Sequence, residues 1–241
     1  SRPRRSRCAE GGQGAQGVRG AEAAVGEDVV RKVLAAAVGG AAAVGATAPL
    51  ARGRALLSVA VDLEARRTEL VELVRRTERC RLSEALAAVD YCVDSAVRWA
   101  GWADKLDLLV PRAHGSAPPA VVGVLGGGRL LPAVRTSLAV LAAGGSCVLT
   151  GGGALERLVD AVVAEFGDGA AAVLPGEAGT TALLAGSVEV LDARWGGAEF
   201  TAAVRRAAAA AGTRVLPPAG GAAPEDARLL APLFRDVSVT G

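Results

Sequence analysis

Between about Glu27 and Leu108 the apolar residues recur every three or four positions, the period of an amphipathic helix. Thr47 followed by Pro49 predicts a helix start, because proline's fixed φ suits a first turn that has no use for its missing N–H. The helix that follows is expected to run through LLSVAVDLEARRTELVELVRRTERC to near Cys80. Asp62 with Arg66 and Glu72 with Arg76 stand at i,i+4 spacing in the favourable order, so the arginines read as a solvated, ion-paired face rather than a phosphate site. Ser83 is the expected cap of a further helix reaching Lys105. Its stripe is Leu82, Leu86, Val89, Val93, Val97 and Ala100, with Glu84, Asp90, Asp94 and Arg98 off it. Trp99 and Trp102 close this helix, either as packing anchors within the domain or as aromatic contacts for a partner.

From about Pro118 the pattern changes to short continuous apolar runs, each ended by Gly or Pro and followed by an Ala-rich helical segment. The runs are AVVGVLGGG at 120–128, SCVLTGGG at 146–153, AAAVLPG at 170–176, SVEVLDA at 187–193 and TRVLPP at 213–218. Parallel strands buried on both faces read this way, and their alternation with helices predicts an α/β fold. The expected architecture is a Rossmann-like, doubly wound parallel sheet with helices on both faces, preceded by the helical segment. Ligands of such sheets sit beyond the carboxyl ends of the strands, where the glycines fall here. No GxGxxG opens a helix with an acid about 20 residues on, so the glycines are no dinucleotide fingerprint in themselves.

A chain of 241 residues, 51% of them apolar, has room for one substantial core, but with three Phe, one Tyr and three Trp that core must be built from Ala, Val and Leu. The net charge is +2, with Arg interleaved with Asp and Glu, which leaves no single-sign field to hold nucleic acid. Cys8, Cys80, Cys92 and Cys147 form no CxxC pair, and the lone His114 has no companion at metal spacing, so a reducing cytoplasm and no metal are expected. Two uncharged stretches, Lys32 to Arg52 and Arg135 to Glu156, are broken by Gly clusters and read as buried elements rather than membrane spans. The Arg- and Gly-rich residues 1–24 read as a disordered tail, leaving 25–241 as the folded part.

Three blocks taken in order, LARGRALLSVAVDLEARRTELVELVRRTERCRLSEALAAVDYCVDSAVRWAGWADKLD, VVGVLGGGRLLPAVRTSLAVLAAGGSCVLT and VEVLDARWGGAEFTAAVRRAAAAAGTRVLPPAGG, resemble the N-terminal half of an aldehyde dehydrogenase over about residues 48–221. The GWADK element is especially like divergent actinobacterial paralogues and the second module of two-module members. In that family this half contains the NAD-binding domain, and a catalytic domain carrying the nucleophilic cysteine follows it.

The resemblance implies a reaction whose parts can be sought residue by residue. The family's GVIGPWNFP turn supplies an oxyanion-holding asparagine. Here the turn is Gly123 to Leu131, Arg129 stands in that place, and the chain holds no Asn at all. Losing one such donor costs on the order of a hundredfold or more in rate. The family's ELGG, source of the general base, reads Pro218, Ala219, Gly220, Gly221, and proline accepts no proton. No cysteine aligns with the nucleophile, and Cys147 reads as a small hydrophobe inside a strand. No catalytic residue is therefore expected.

For the cofactor, the ribose-binding lysine of VLKPSE is replaced by Thr150, and the FTGSTEVG turn by Arg194, Trp195, Gly196, Gly197, Ala198, Glu199. Thr150, Gly196 and Gly197 are the candidate, vestigial cofactor residues. The two glycines either keep some anion affinity at a helix N-terminus or make only a tight turn, and NAD affinity should be weak or absent. LDLLVPRAHGSAPPA is short for the family's assembly hairpin, which implies a departure from the usual tetramer. The expected function is that of an inactive subunit, structural or regulatory, in a hetero-oligomer with a full-length aldehyde dehydrogenase or a module of its own family. The alternatives are an NAD(P)-binding subunit contributing to aldehyde oxidation and a nucleotide-binding sensor domain.

Overall fold

Small side chains let backbones approach closely, and helix placement in this protein follows from that. The computed structural model describes residues 14–106, 121–185, 188–194 and 202–216. Four helices come first: α1 (Gly14–Ala46), α2 (Pro49–Ala65), α3 (Arg67–Thr77) and α4 (Leu82–Trp102). Then follow β1 (Val121–Val124), α5 (Leu130–Ala143), β2 (Ser146–Thr150), α6 (Ala154–Phe166), β3 (Ala171–Leu174), α7 (Gly176–Leu184), β4 (Val190–Asp192), α8 (Ala202–Ala210) and β5 (Arg214–Leu216). All five expected strands form. They pair in parallel in the order β3-β2-β1-β4-β5, so strand order reverses beside β1. Successive residues of each strand feed opposite layers. Val122, Val124, Cys147 and Leu149 join the core under α2 to α6, whereas Val121, Val148 and Leu191 join the core under α1 and α7.

Helix α1 begins inside the stretch expected to be a loose tail, and residues 1–13 lie outside the described residues. Its Gly40 meets the turn before β3 so closely that a Cβ there would lie 2.1 Å from the Gly169 carbonyl carbon. Gly169 has a φ of +79°, and a Cβ on it would fall 2.0 Å from the Ala36 carbonyl oxygen. The Ser146 hydroxyl donates to the Ala37 carbonyl at 2.8 Å, fixing the helix to the start of β2. The uncharged stretch after Lys32 is thus buried on one side only. The Glu27–Ala46 part of α1 is long and apolar enough to cross a membrane, and 22% of it is buried. The second uncharged stretch is buried through α5 and β2, as expected.

The helical region departs from expectation in four places. First, Thr47 does not cap α2. Its hydroxyl donates to the Ala43 carbonyl at the end of α1, while Pro49 does begin α2. Second, the long helix breaks at Arg66, which lets Leu70, Val71 and Val74 of α3 turn toward α4 and α6, and it ends at Thr77. Third, Arg66 pairs with Asp62 as expected, but Glu72 takes the guanidinium of Arg75, one position nearer than Arg76, at 3.0 and 3.1 Å. Fourth, α4 begins at Leu82 and not after Ser83, with the Arg81 amide donating to Glu84 at 2.9 Å.

The buried face of α4 is Ala85, Ala88, Val89, Cys92, Ser95, Ala96 and Trp99. Of the expected stripe only Val89 is fully buried, and Leu82 and Val97 are exposed. The cause is close packing. A Cβ on Gly53 of α2 would lie 2.8 Å from the Ala100 carbonyl oxygen, so the two helices meet through their smallest residues and displace the larger ones outward. Trp99 is 4% exposed and belongs to the core, while Trp102 is 39% exposed.

The packing predicts a contrast within one class of residue. Gly169→Ala should cost roughly 2–4 kcal/mol, from both its φ and the Ala36 contact. Gly39→Ala, a helical position with nothing near its Cβ, should gain about 0.5–1 kcal/mol. Urea unfolding of the two variants checks both signs.

Candidate functional site

Where strand order reverses in a doubly wound sheet, the loops on either side part and leave a crevice at the carboxyl ends. A cavity of about 330 Å³ lies at the carboxyl ends of β1, β2 and β3, on the β2 side of that reversal, lined by Leu125 after β1, Gly127 and Gly128, Thr150 and Gly151 at the end of β2, and Gly176 and Thr180 of α7. Glycine is required at this floor: Gly128 (φ +72°) and Gly151 (φ +146°) approach so closely that a Cβ on Gly151 would sit 2.7 Å from the Gly128 Cα. Thr150 is buried, and the Thr180 hydroxyl is turned inward to the Gly176 carbonyl at 2.9 Å. Among the described residues, no ionisable side chain lines the cavity. Its lining offers backbone polar atoms, two threonines and one leucine, and no charge. Of the three candidate cofactor residues the structure places Thr150 here, and Gly196 and Gly197 lie outside the described residues.

Just before that turn, Asp192 ends β4 fully buried. Its carboxylate accepts from the Thr136 hydroxyl at 2.6 Å, from the Arg194 amide at 3.0 Å and from the Arg194 guanidinium at 2.9 and 2.7 Å. The Thr136 bond ties β4 to α5, the Arg194 guanidinium balances the buried charge, and removing one partner of such a buried pair strands the other charge. Thr136 and Asp192 are 56 positions apart, with nothing in the sequence to join them.

A second cavity, of about 430 Å³, opens between the α3–α4 turn and the start of α5. Arg129 precedes α5 and lines this cavity, exposed, with Arg135, Glu78, Glu84 and the half-buried Cys80. Arg135 lies over the Tyr91 ring at 5.3 Å. The Glu78 carboxylate accepts from the backbone N–H of Leu130, the first residue of α5, at 2.8 Å. A helix N-terminus favours negative charge, and this one has been given a carboxylate from 52 residues away. An oxyanion forming at this place would meet Glu78 as well as Arg129.

The thiols are equally plain. Cys147 sits inside β2 as expected, and Cys92 faces the core of α4. Burial pushes both thiols up to about 12, away from the thiolate form a nucleophile needs. Cys80 is half-buried, and Cys8, His114 and the Pro218–Gly221 segment lie outside the described residues. No group of three or more metal-ligating side chains is found among the described residues.

No profile of a known protein family matches the chain, and no curated protein matches it by sequence. Solved structures do. HpcC from Thermus thermophilus superposes with a TM-score of 0.69 at 22% identity, over 83% of this chain and 42% of that one. An NAD-dependent aldehyde dehydrogenase from Sinorhizobium meliloti gives 0.66 at 22% identity, over 78% and 41%. A betaine aldehyde dehydrogenase from Staphylococcus aureus, solved with NAD⁺, gives 0.64 at 20% identity, over 77% and 41%. The chain therefore has a fold found in aldehyde dehydrogenases, and it spans well under half the length of the structures it matches.

The thiol environments predict a labelling pattern. Iodoacetamide at pH 8 should leave Cys92 and Cys147 unmodified in the native protein and modify both in urea, read by peptide mass mapping. Native-state alkylation of Cys147 as fast as a free thiol would place it outside the strand core.

Proposed function

We propose that the chain is a non-catalytic member of the aldehyde dehydrogenase superfamily, acting as a structural or regulatory subunit alongside an active aldehyde dehydrogenase. The observation that carries this reading is the start of α5. Where the resemblance puts an oxyanion-holding amide, this protein has the Arg129 side chain, and the helix N-terminus beside it is already bonded to the Glu78 carboxylate. A developing negative charge gains most from donors preorganised to receive it and loses where a fixed anion has taken them. The buried thiols add to this, since neither Cys92 nor Cys147 offers a thiolate. A patterned core without reaction geometry is the mark of a protein kept for what it contacts.

A second reading is favoured by one specific feature, the glycine-floored cavity at the carboxyl ends of β1 and β2. It is the place where folds of this type hold a nucleotide. The chain would then be a nucleotide-binding sensor, or would contribute a bound NAD to aldehyde oxidation by its partner. The neutral lining and Thr150 in the lysine place argue for low affinity.

The purified chain alone should reduce no NAD with any aldehyde tried. Turnover that survives changing all four cysteines to serine would overturn the non-catalytic reading. Calorimetry with NAD should give a dissociation constant in the high micromolar range or no heat. A low-micromolar constant that is lost in Gly151→Val, which would fill the cavity floor, would promote the sensor reading over the structural one.

A further inference from the structure

We propose that the cavity between the α3–α4 turn and the start of α5 is a binding site for small zwitterionic disulfides of the amino-acid type, and that Cys80 in its wall captures them as a mixed disulfide. At about 430 Å³ the cavity has the size of a small-molecule site, for which about 300–1,000 Å³ is usual. Its charges are sorted by wall. Glu78, Cys80 and Glu84 come from the α3–α4 turn and the first turn of α4, whereas Arg129 and Arg135 come from the residue before α5 and from its second turn. A ligand of one charge would leave one of these walls unmatched, and a zwitterion meets both.

Two of the four charges are already engaged, since the Glu78 carboxylate holds the Leu130 N–H and the Arg135 guanidinium lies over the Tyr91 ring. The other two are available. Arg129 is exposed and has no hydrogen-bond or ion-pair partner among the described residues, and Glu84 gives only Oε2 to the Arg81 amide. A ligand carboxylate then goes to Arg129 and its ammonium to Glu84, which holds it against the wall that carries Cys80. Arg79 takes a φ of +51°, and this left-handed turn separates Glu78, which reaches α5, from Cys80, which lines the cavity. The Cys80 thiol is half-buried and donates only at 3.9 Å, to the Val74 carbonyl, whereas Cys92 and Cys147 are buried in the core. In the capture step Cys80 gives its proton to solvent and the thiolate attacks one sulfur of the ligand. The new S–S bond forms as the old one breaks, and the electron pair leaves on the other half, which departs as a thiol after taking up a proton. Cys80 is thereby oxidised and half of the ligand reduced. The proposal does not rest on the functional reading above, because capture at Cys80 is the same whether or not the chain also joins an active enzyme.

The test exposes the full chain to cystine and, separately, to hydroxyethyl disulfide, which is uncharged, and follows the Cys80 adduct by peptide mass mapping. Each native rate is divided by the rate in urea, which removes the reagents' own reactivity. Cystine carries no net charge at neutral pH, so a preference for it reports paired recognition rather than general attraction. Native Cys80 should prefer cystine roughly tenfold, the worth of one charge-assisted contact. Arg129→Ala should erase that preference while keeping the parent's circular dichroism, because the side chain is exposed, and Arg129→Lys should keep part of it. A native Cys80 that forms no adduct overturns the proposal. So does equal uptake of the two reagents, or a preference that Arg129→Ala leaves intact.

Discussion

The structure depends on backbones that touch. With almost no aromatic residues the chain cannot fill wide gaps between elements, so helices and turns must come together at glycine. Gly40 against Gly169 seats α1 on the face of the sheet over β2 and β3, Gly53 against Ala100 joins α2 to α4, and Gly151 against Gly128 brings the loops after β1 and β2 into contact. Each approach leaves no room for a methyl group, and each has a consequence elsewhere. The first fixes where β2 and β3 begin. The second turns the larger side chains of α4 outward, and the third forms the floor of the cavity at the strand ends.

How much of this is legible in the sequence depends on the range of the interaction. The strands are readable because a central parallel strand has no polar side, and runs such as SCVLT show it without reference to anything distant. The position of Cys147 within its strand follows from the same run. The inner face of α4 is not readable from a pattern weighed by side-chain size. Leu82 and Val97 have the spacing of core residues, but proximity to α2 selects Ala85, Ala88 and Ala96, and only a partner helix can say so. Local caps mislead for a related reason. Ser83 and Thr47 have the right chemistry, but the chain supplies Glu84 and Pro49 instead.

The parts of the site that matter most are the least readable. Arg129 can be set against a family pattern, which gives its place at the head of α5. Glu78 cannot, for its bond to Leu130 joins residues with no sequence signal between them. Yet Glu78 changes the meaning of Arg129. An arginine alone would offer a donor where the resemblance puts an amide, whereas an arginine beside a helix start already closed by a carboxylate forms a charge-balanced surface. Asp192 is similar: it lies next to the expected cofactor turn, and its bond from Thr136 holds β4 and α5 together.

The proposal that this chain works through association is supported by the closed start of α5 and the burial of Cys92 and Cys147. The most direct test is to titrate the purified chain into a full-length, active aldehyde dehydrogenase from the same source, recording complex mass and NAD reduction together. A stable mixed complex is expected, with turnover that changes in proportion to the chain bound and reaches a plateau at a fixed ratio. Two species sedimenting independently, with the enzyme's turnover unmoved across the titration, would contradict it.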